Sequence, residues 1–167
     1  MSFLDAEQQA LAADIAERVI ARGETVAVAE STTGGLIAAA LLSVAGASRY
    51  FAGGGVVYTL KSRTALAGAD PAQYANYRGT TTEMLESLAE SMRDRLGATW
   101  CIAESGLAGP TGGRTGAAAG RTTMSVVGPV TRTEKLETGS DDRVENMGAF
   151  TTASLRLLRN AIASASG

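Results

Sequence analysis

Between Asp5 and Arg22 the apolar residues Leu11, Ile15, Val19 and Ile20 recur at helical spacing among Glu, Gln and Arg, and Gly23 follows as a C-terminal stop. This spacing predicts an amphipathic first helix. Thr25 to Ala29 is short, β-branched and nearly continuous in apolar character, as expected of a strand buried on both faces of a parallel sheet. A polar turn from Glu30 to Gly35 then opens an apolar Ala/Leu/Ile helix running from Gly35 to Val44. Gly46 to Gly55 is glycine-rich, and the β-branched run from Val56 to Thr59 predicts the second strand, with Tyr58 near its end. Beyond a loop containing Asp70 and Pro71, Met84, Leu85, Leu88, Met92 and Leu96 share one face of a helix over residues 82 to 96.

Ala98 to Ala103 predicts a further strand, which empties into a segment whose six glycines from Gly106 to Gly120 exclude regular structure. Thr122 to Val127 and Thr131 to Glu137 flank a Gly128-Pro129 turn and predict an antiparallel pair. The last helix is expected from Asp141 or Asp142 to about Ala163, with Asp141 as a candidate cap. The order α-β-α-β-α-β-β-β-α favours one domain over residues 1 to 167, a three-layer α/β/α sandwich with a mixed, mostly parallel sheet. In such sheets ligands bind beyond the carboxyl ends of the strands, where the two glycine turns are expected to converge.

Composition narrows the chemistry. Fifteen Lys and Arg against 17 Asp and Glu give a net charge of -2, which supplies no basic field for a nucleic-acid partner. No apolar stretch reaches the ~18 residues of a membrane span. A single cysteine, Cys101, forms no internal disulfide, and the acidic start of the chain does not resemble a signal peptide, so a cytoplasmic location is expected. With no histidine and one cysteine, neither a histidine-based triad nor a common zinc site can be assembled. No metal and no cofactor are expected. The Gly35 to Val44 helix and the Tyr50-Phe51 pair could belong to the core or to a symmetric interface in a homo-oligomer.

Glu30, Ser31, Thr32, Thr33, Gly34 and Gly35 place hydroxyls at a strand end and glycines at a helix start, an arrangement that presents backbone amides to an anion. The same pattern also describes a turn that merely caps the helix. The second loop, from Ser105 to Gly113, has more glycines than a simple connection requires, consistent with close approach to a ligand or with a flexible excursion. Arg143 could hold a phosphate, although an arginine at that position is more often solvated.

Three blocks, AESTTGG at residues 29 to 35, GGGVVYT at 53 to 59 and SGLAGPTGG at 105 to 113, resemble in order and spacing those of the CinA C-terminal domain family. The likeness runs over almost the whole chain. It implies a three-layer α/β/α sandwich and a nicotinamide-nucleotide amidohydrolase, which converts nicotinamide mononucleotide and water to nicotinic acid mononucleotide and ammonia. It also implies the stand-alone form of the domain, since Asp5 already opens the first helix.

By this resemblance Ser31 is the nucleophile, Tyr58 relays a proton, and backbone amides around Thr33 to Gly35 stabilise the oxyanion. Glu30, Thr33, Gly34 and Gly35 in the first loop, Ser105, Gly106, Ala108, Gly109, Gly112 and Gly113 in the second, and Arg143 would contact a small nucleotide substrate. One position departs from the pattern: five residues after Tyr58 the family has a lysine, whereas this chain has Arg63. Arginine does not deprotonate in proteins, so it cannot accept the serine proton. Lys61 shares a face with Arg63 in a strand and points away from it on a helix, so its capacity to substitute depends on local structure. An alternative is therefore a catalytically silent domain that binds a nucleotide or a protein partner.

Overall fold

The computed structural model describes residues 2–165. Five strands, β1 (Val26–Glu30), β2 (Phe51–Val56), β3 (Trp100–Leu107), β4 (Arg121–Val127) and β5 (Arg132–Glu137), form one sheet in the order β2-β1-β3-β4-β5. β1 pairs in parallel with β2 and β3, while β4 runs antiparallel to both β3 and β5, so the sheet is mixed. Five α-helices accompany it: α1 (Ala6–Arg22), α2 (Leu36–Leu42), α3 (Leu60–Ala65), α4 (Thr82–Leu96) and α5 (Arg143–Ser164).

Alternation along the strands divides the core into two layers. Val26, Val28, Trp100, Ile102, Met124 and Val126 pack with α1, α2 and α5. Ala27, Ala29, Cys101, Ala103 and Val127 face Leu85, Leu88 and Met92 of α4, the small strand residues leaving room for that helix. The three-layer α/β/α sandwich expected from the sequence is the fold observed.

The long helices end where the sequence places their signals. Asp5 and Gln8 form a reciprocal capping box at the start of α1, and Gly23, at φ 66°, closes it. Asp142, rather than Asp141, caps α5 by accepting from the Glu145 amide. Two strand assignments need correction. β2 occupies the glycine run Phe51–Val56 and not Val56 to Thr59. Strand propensity disfavours glycine, but here the backbones require it: a Cβ on Gly54 would lie 2.2 Å from the Val28 carbonyl oxygen. Thr59 instead caps α3, a six-residue helix too short to leave a periodic signature. β3 also continues through Ser105 and Gly106 to Leu107, held by pairing with Thr123, Thr122 and Arg121.

Gly54→Ala is expected to lower the unfolding free energy by about 2 kcal/mol, the usual scale of overpacking. Gly148→Ala, in open space on α5, is expected to be neutral or to stabilise by up to about 1 kcal/mol. Urea midpoints of the two variants check the contrast.

Candidate active site

Two buried carboxylates shape the end of β1. The Glu30 side chain turns back onto the first turn of α2, accepting from the amides of Gly35 (2.8 Å), Ile37 (3.1 Å) and Ala38 (2.9 Å) and from the Thr33 hydroxyl (2.7 Å). Glu104, on β3 and fully buried, accepts from the amides of Ser31 (3.2 Å) and Thr33 (3.0 Å), from the Thr122 hydroxyl (2.7 Å) and from the Thr32 hydroxyl. The anion suited to this helix start is thus supplied by the chain itself.

The expectation for the first loop is corrected accordingly. The amides of Thr33 and Gly35 are bonded to carboxylates, and that of Gly34 to the Ser31 carbonyl (3.2 Å), so none is directed at a ligand as an oxyanion donor. Glu30, Thr33, Gly34 and Gly35 do not line the cleft described below. Their effect is to fix Ser31. Gly34 (φ 64°) and Gly35 (φ 102°) adopt left-handed conformations that let the chain double back over Glu30. Glu104 was not singled out from the sequence, although an acidic residue directly continuing the apolar run Ala98 to Ala103 signals a buried acceptor.

Ser31 opens into a cleft of about 680 Å³ at the carboxyl ends of β1 and β3, shared with Tyr58, Arg63, Thr80, Ser105 and Thr123. No hydrogen bond joins the Ser31 hydroxyl to another described residue. Arg63, on α3 and only 3% exposed, donates through Nε to the Val57 carbonyl (3.2 Å), through Nη1 to the Thr80 hydroxyl (3.1 Å) and through Nη2 to the Ser105 hydroxyl (2.8 Å). Thr80 in turn contacts Ser105 at 3.1 Å and the Tyr77 hydroxyl at 2.9 Å. Burial pushes the Tyr74 phenol above its usual range, an effect that the Arg63 charge beside it partly offsets.

Lys61 does not join this group. α3 is helical, so Lys61 and Arg63 lie about 200° apart around its axis, and the Lys61 side chain is exposed outside the cleft. Tyr58, 55% exposed, borders the opening from the segment between β2 and α3.

The second loop is shaped largely by contacts with its own chain. Gly106, Gly112 and Gly113 border the cleft, whereas Ala108 and Gly109 do not. The Ala108 carbonyl accepts from Asn146 (2.8 Å) and the Gly109 carbonyl from Arg143 (2.6 Å). Arg143 is therefore a clamp on the loop, outside the cleft. A Cβ on Gly112 would stand 2.0 Å from the Ala117 carbonyl oxygen, so backbone crossing within the loop explains that glycine. A second recess of about 690 Å³, between this loop and Ser140-Asp141, is lined by no cationic side chain among the described residues. Cys101 is buried, and burial pushes its thiol well above the usual range, leaving it unreactive.

Among the described residues no cluster of three or more Cys, Asp or Glu side chains is placed to hold a metal ion, and no helix is long and apolar enough to cross a membrane.

Comparison with known proteins gives one consistent picture. The family model described as CinA C-terminal domain matches residues 8–162. A CinA-like protein of Myxococcus xanthus is 40% identical over 156 residues, covering 92% of this chain and 37% of that protein. A CinA-like protein of Acidobacterium capsulatum is 39% identical over 130 residues, covering 77% and 31%. The chain thus spans about a third of the length of these relatives. Among solved structures, the competence/damage inducible protein CihA from Agrobacterium tumefaciens superposes with a TM-score of 0.90 at 26% identity, covering 98% of this chain and all of that one. The competence damage-inducible protein A from Klebsiella pneumoniae gives 0.88 at 26% identity, covering 95% and 99%.

Proposed function

Because the chain belongs to the CinA C-terminal domain family, we propose that it hydrolyses the carboxamide of a nicotinamide nucleotide, releasing ammonia, with Ser31 as nucleophile. The observation that supports this reading is the Ser31 hydroxyl, bonded to no described residue and facing the same cleft as the buried Arg63 guanidinium. Its backbone is held by Glu104, so the hydroxyl is presented at a fixed position.

In the first step the Ser31 oxygen forms a bond to the amide carbon while its proton passes to the Tyr58 hydroxyl. Tyr58 gives its own proton to the departing nitrogen, so the C–N bond breaks with release of ammonia and leaves a seryl ester. Water then attacks that ester, yielding the carboxylic acid and restoring the serine. Arg63 has no part as a base. Its fixed charge, anchored on Val57, Thr80 and Ser105, stabilises the oxyanion that develops on the amide oxygen, the role first expected of the loop amides.

A second reading is favoured by one specific feature: among the described residues no amine is hydrogen-bonded to Ser31, and Lys61 lies outside the cleft. On that reading the cleft binds the nucleotide without cleaving it. Arg63→Lys separates the two. If Arg63 stabilises the oxyanion, the shorter ammonium, lacking the planar fork, lowers the turnover rate by about 100-fold. If the site lacks only a base, the native chain is silent and Arg63→Lys gains activity.

A further inference from the structure

We infer that Lys135 determines the charge of the ligand this cleft accepts: its ammonium holds the phosphate of a nucleotide whose amide lies at Ser31. The other end of that ligand rests on the amide-hydrolase reading above.

Strand register carries the inference. Ser105 pairs with Thr123, and Thr123 with Lys135, so the three stand directly opposite one another on β3, β4 and β5 and project from one face of the sheet. All three line the cleft. Ala29 of β1 pairs with Ala103, and two residues further along each strand Ser31 comes level with Ser105, extending the row by one strand. Three strand spacings separate its ends, a span of about 14 Å between backbones. An extended mononucleotide has this form, with its amide and its phosphate at opposite ends of a base and a sugar.

Charge supports the same direction. The chain is negative as a whole, yet among the described residues Arg63, Arg78, Arg114, Arg121 and Lys135 line the cleft against a single carboxylate, Glu137. Val57, Thr80 and Ser105 hold three of the five N–H donors of Arg63 and place its charge at the Ser105 position of the row, and Arg121 is paired with Glu137 at 3.6 Å. Arg78 and Arg114 also line the cleft but stand on loops, outside the paired strand positions that form the row. Lys135 is the row's own cation, and it is in no ion pair among the described residues. A flexible stem with three donors suits a phosphate held as a point charge.

Calorimetric titration with nicotinamide mononucleotide and with nicotinamide riboside, which has the same amide and sugar but no phosphate, tests this. A Ser31→Ala background prevents consumption of either ligand. The mononucleotide is expected to bind at least about tenfold more tightly, the contribution of one charge-assisted hydrogen bond. Lys135→Gln is expected to erase that preference by weakening the mononucleotide alone, and Lys135→Arg to retain it. Equal weakening of both ligands, an unchanged preference in Lys135→Gln, or no binding of the mononucleotide to the Lys135 protein overturns the assignment. Ammonia release by the chain with Ser31 intact is scored separately. The expected titrations without release would remove the hydrolase reading and leave Lys135 in place; release with an unaltered preference in Lys135→Gln would do the reverse.

Discussion

Ser31→Ala is expected to lower the rate of ammonia release from nicotinamide mononucleotide by at least about 10³-fold, the scale on which a covalent nucleophile is missed. The same change is expected to alter the unfolding free energy by no more than about 0.5 kcal/mol. The two halves of this prediction follow from different atoms. Glu104 holds Ser31 through its backbone amide, which alanine retains, while the hydroxyl is bonded to no described residue and its loss breaks nothing. Activity within tenfold of the native chain would place the nucleophile elsewhere, with Ser105 the next hydroxyl in the cleft.

Glu104→Ala reverses the pattern, and its principal effect is on stability. The carboxylate is the shared acceptor for two backbone amides and for the hydroxyls of Thr32 and Thr122, all in a region from which water is excluded. Each buried donor left without a partner costs about 1–3 kcal/mol. Partial relaxation keeps the total below their sum, and a loss of about 3–5 kcal/mol is expected. For a domain of ordinary stability, about 5–15 kcal/mol, this is a large fraction. Glu104→Gln retains one acceptor but turns an amide NH2 toward donors, so an intermediate loss is expected. Trp100, the single tryptophan and fully buried, provides the fluorescence signal for urea unfolding. A loss under about 1 kcal/mol for Glu104→Ala would mean that the loop finds other acceptors and that Glu104 does not fix Ser31.

The elements read correctly from the sequence are those whose local chemistry and tertiary environment agree. α1, α4 and α5 have a helical apolar period and residues that cap them, and β4 and β5 flank a Gly-Pro turn and pair antiparallel. β2 was displaced because its glycines serve a contact with Val28 that lies in another strand, information absent from the local pattern. α3 was missed because six residues carry too little periodicity, and Thr59, its cap, reads equally well as a strand residue.

The candidate site divides in the same way. Ser31, Tyr58 and Arg63 are named by motif, and they meet at one cleft. In the sequence, the amides and helix start of the first loop resemble a receptor for an external anion, whereas in the fold the adjacent Glu30 carboxylate turns back and occupies that position. Thr80, Thr123 and Lys135 come to the cleft through strand register and loop packing, neither of which a linear pattern records. Arg143, expected from the sequence to contact the nucleotide, instead donates to the Gly109 carbonyl outside the cleft, a partner that only the folded loop supplies.

The decisive measurement is ammonia production by the unaltered chain incubated with nicotinamide mononucleotide. Amide hydrolysis at Ser31 predicts catalytic release, with one equivalent of nicotinic acid mononucleotide formed for each ammonia. Tight binding of the mononucleotide with no ammonia above the uncatalysed background would contradict it and leave the cleft as a binding site alone.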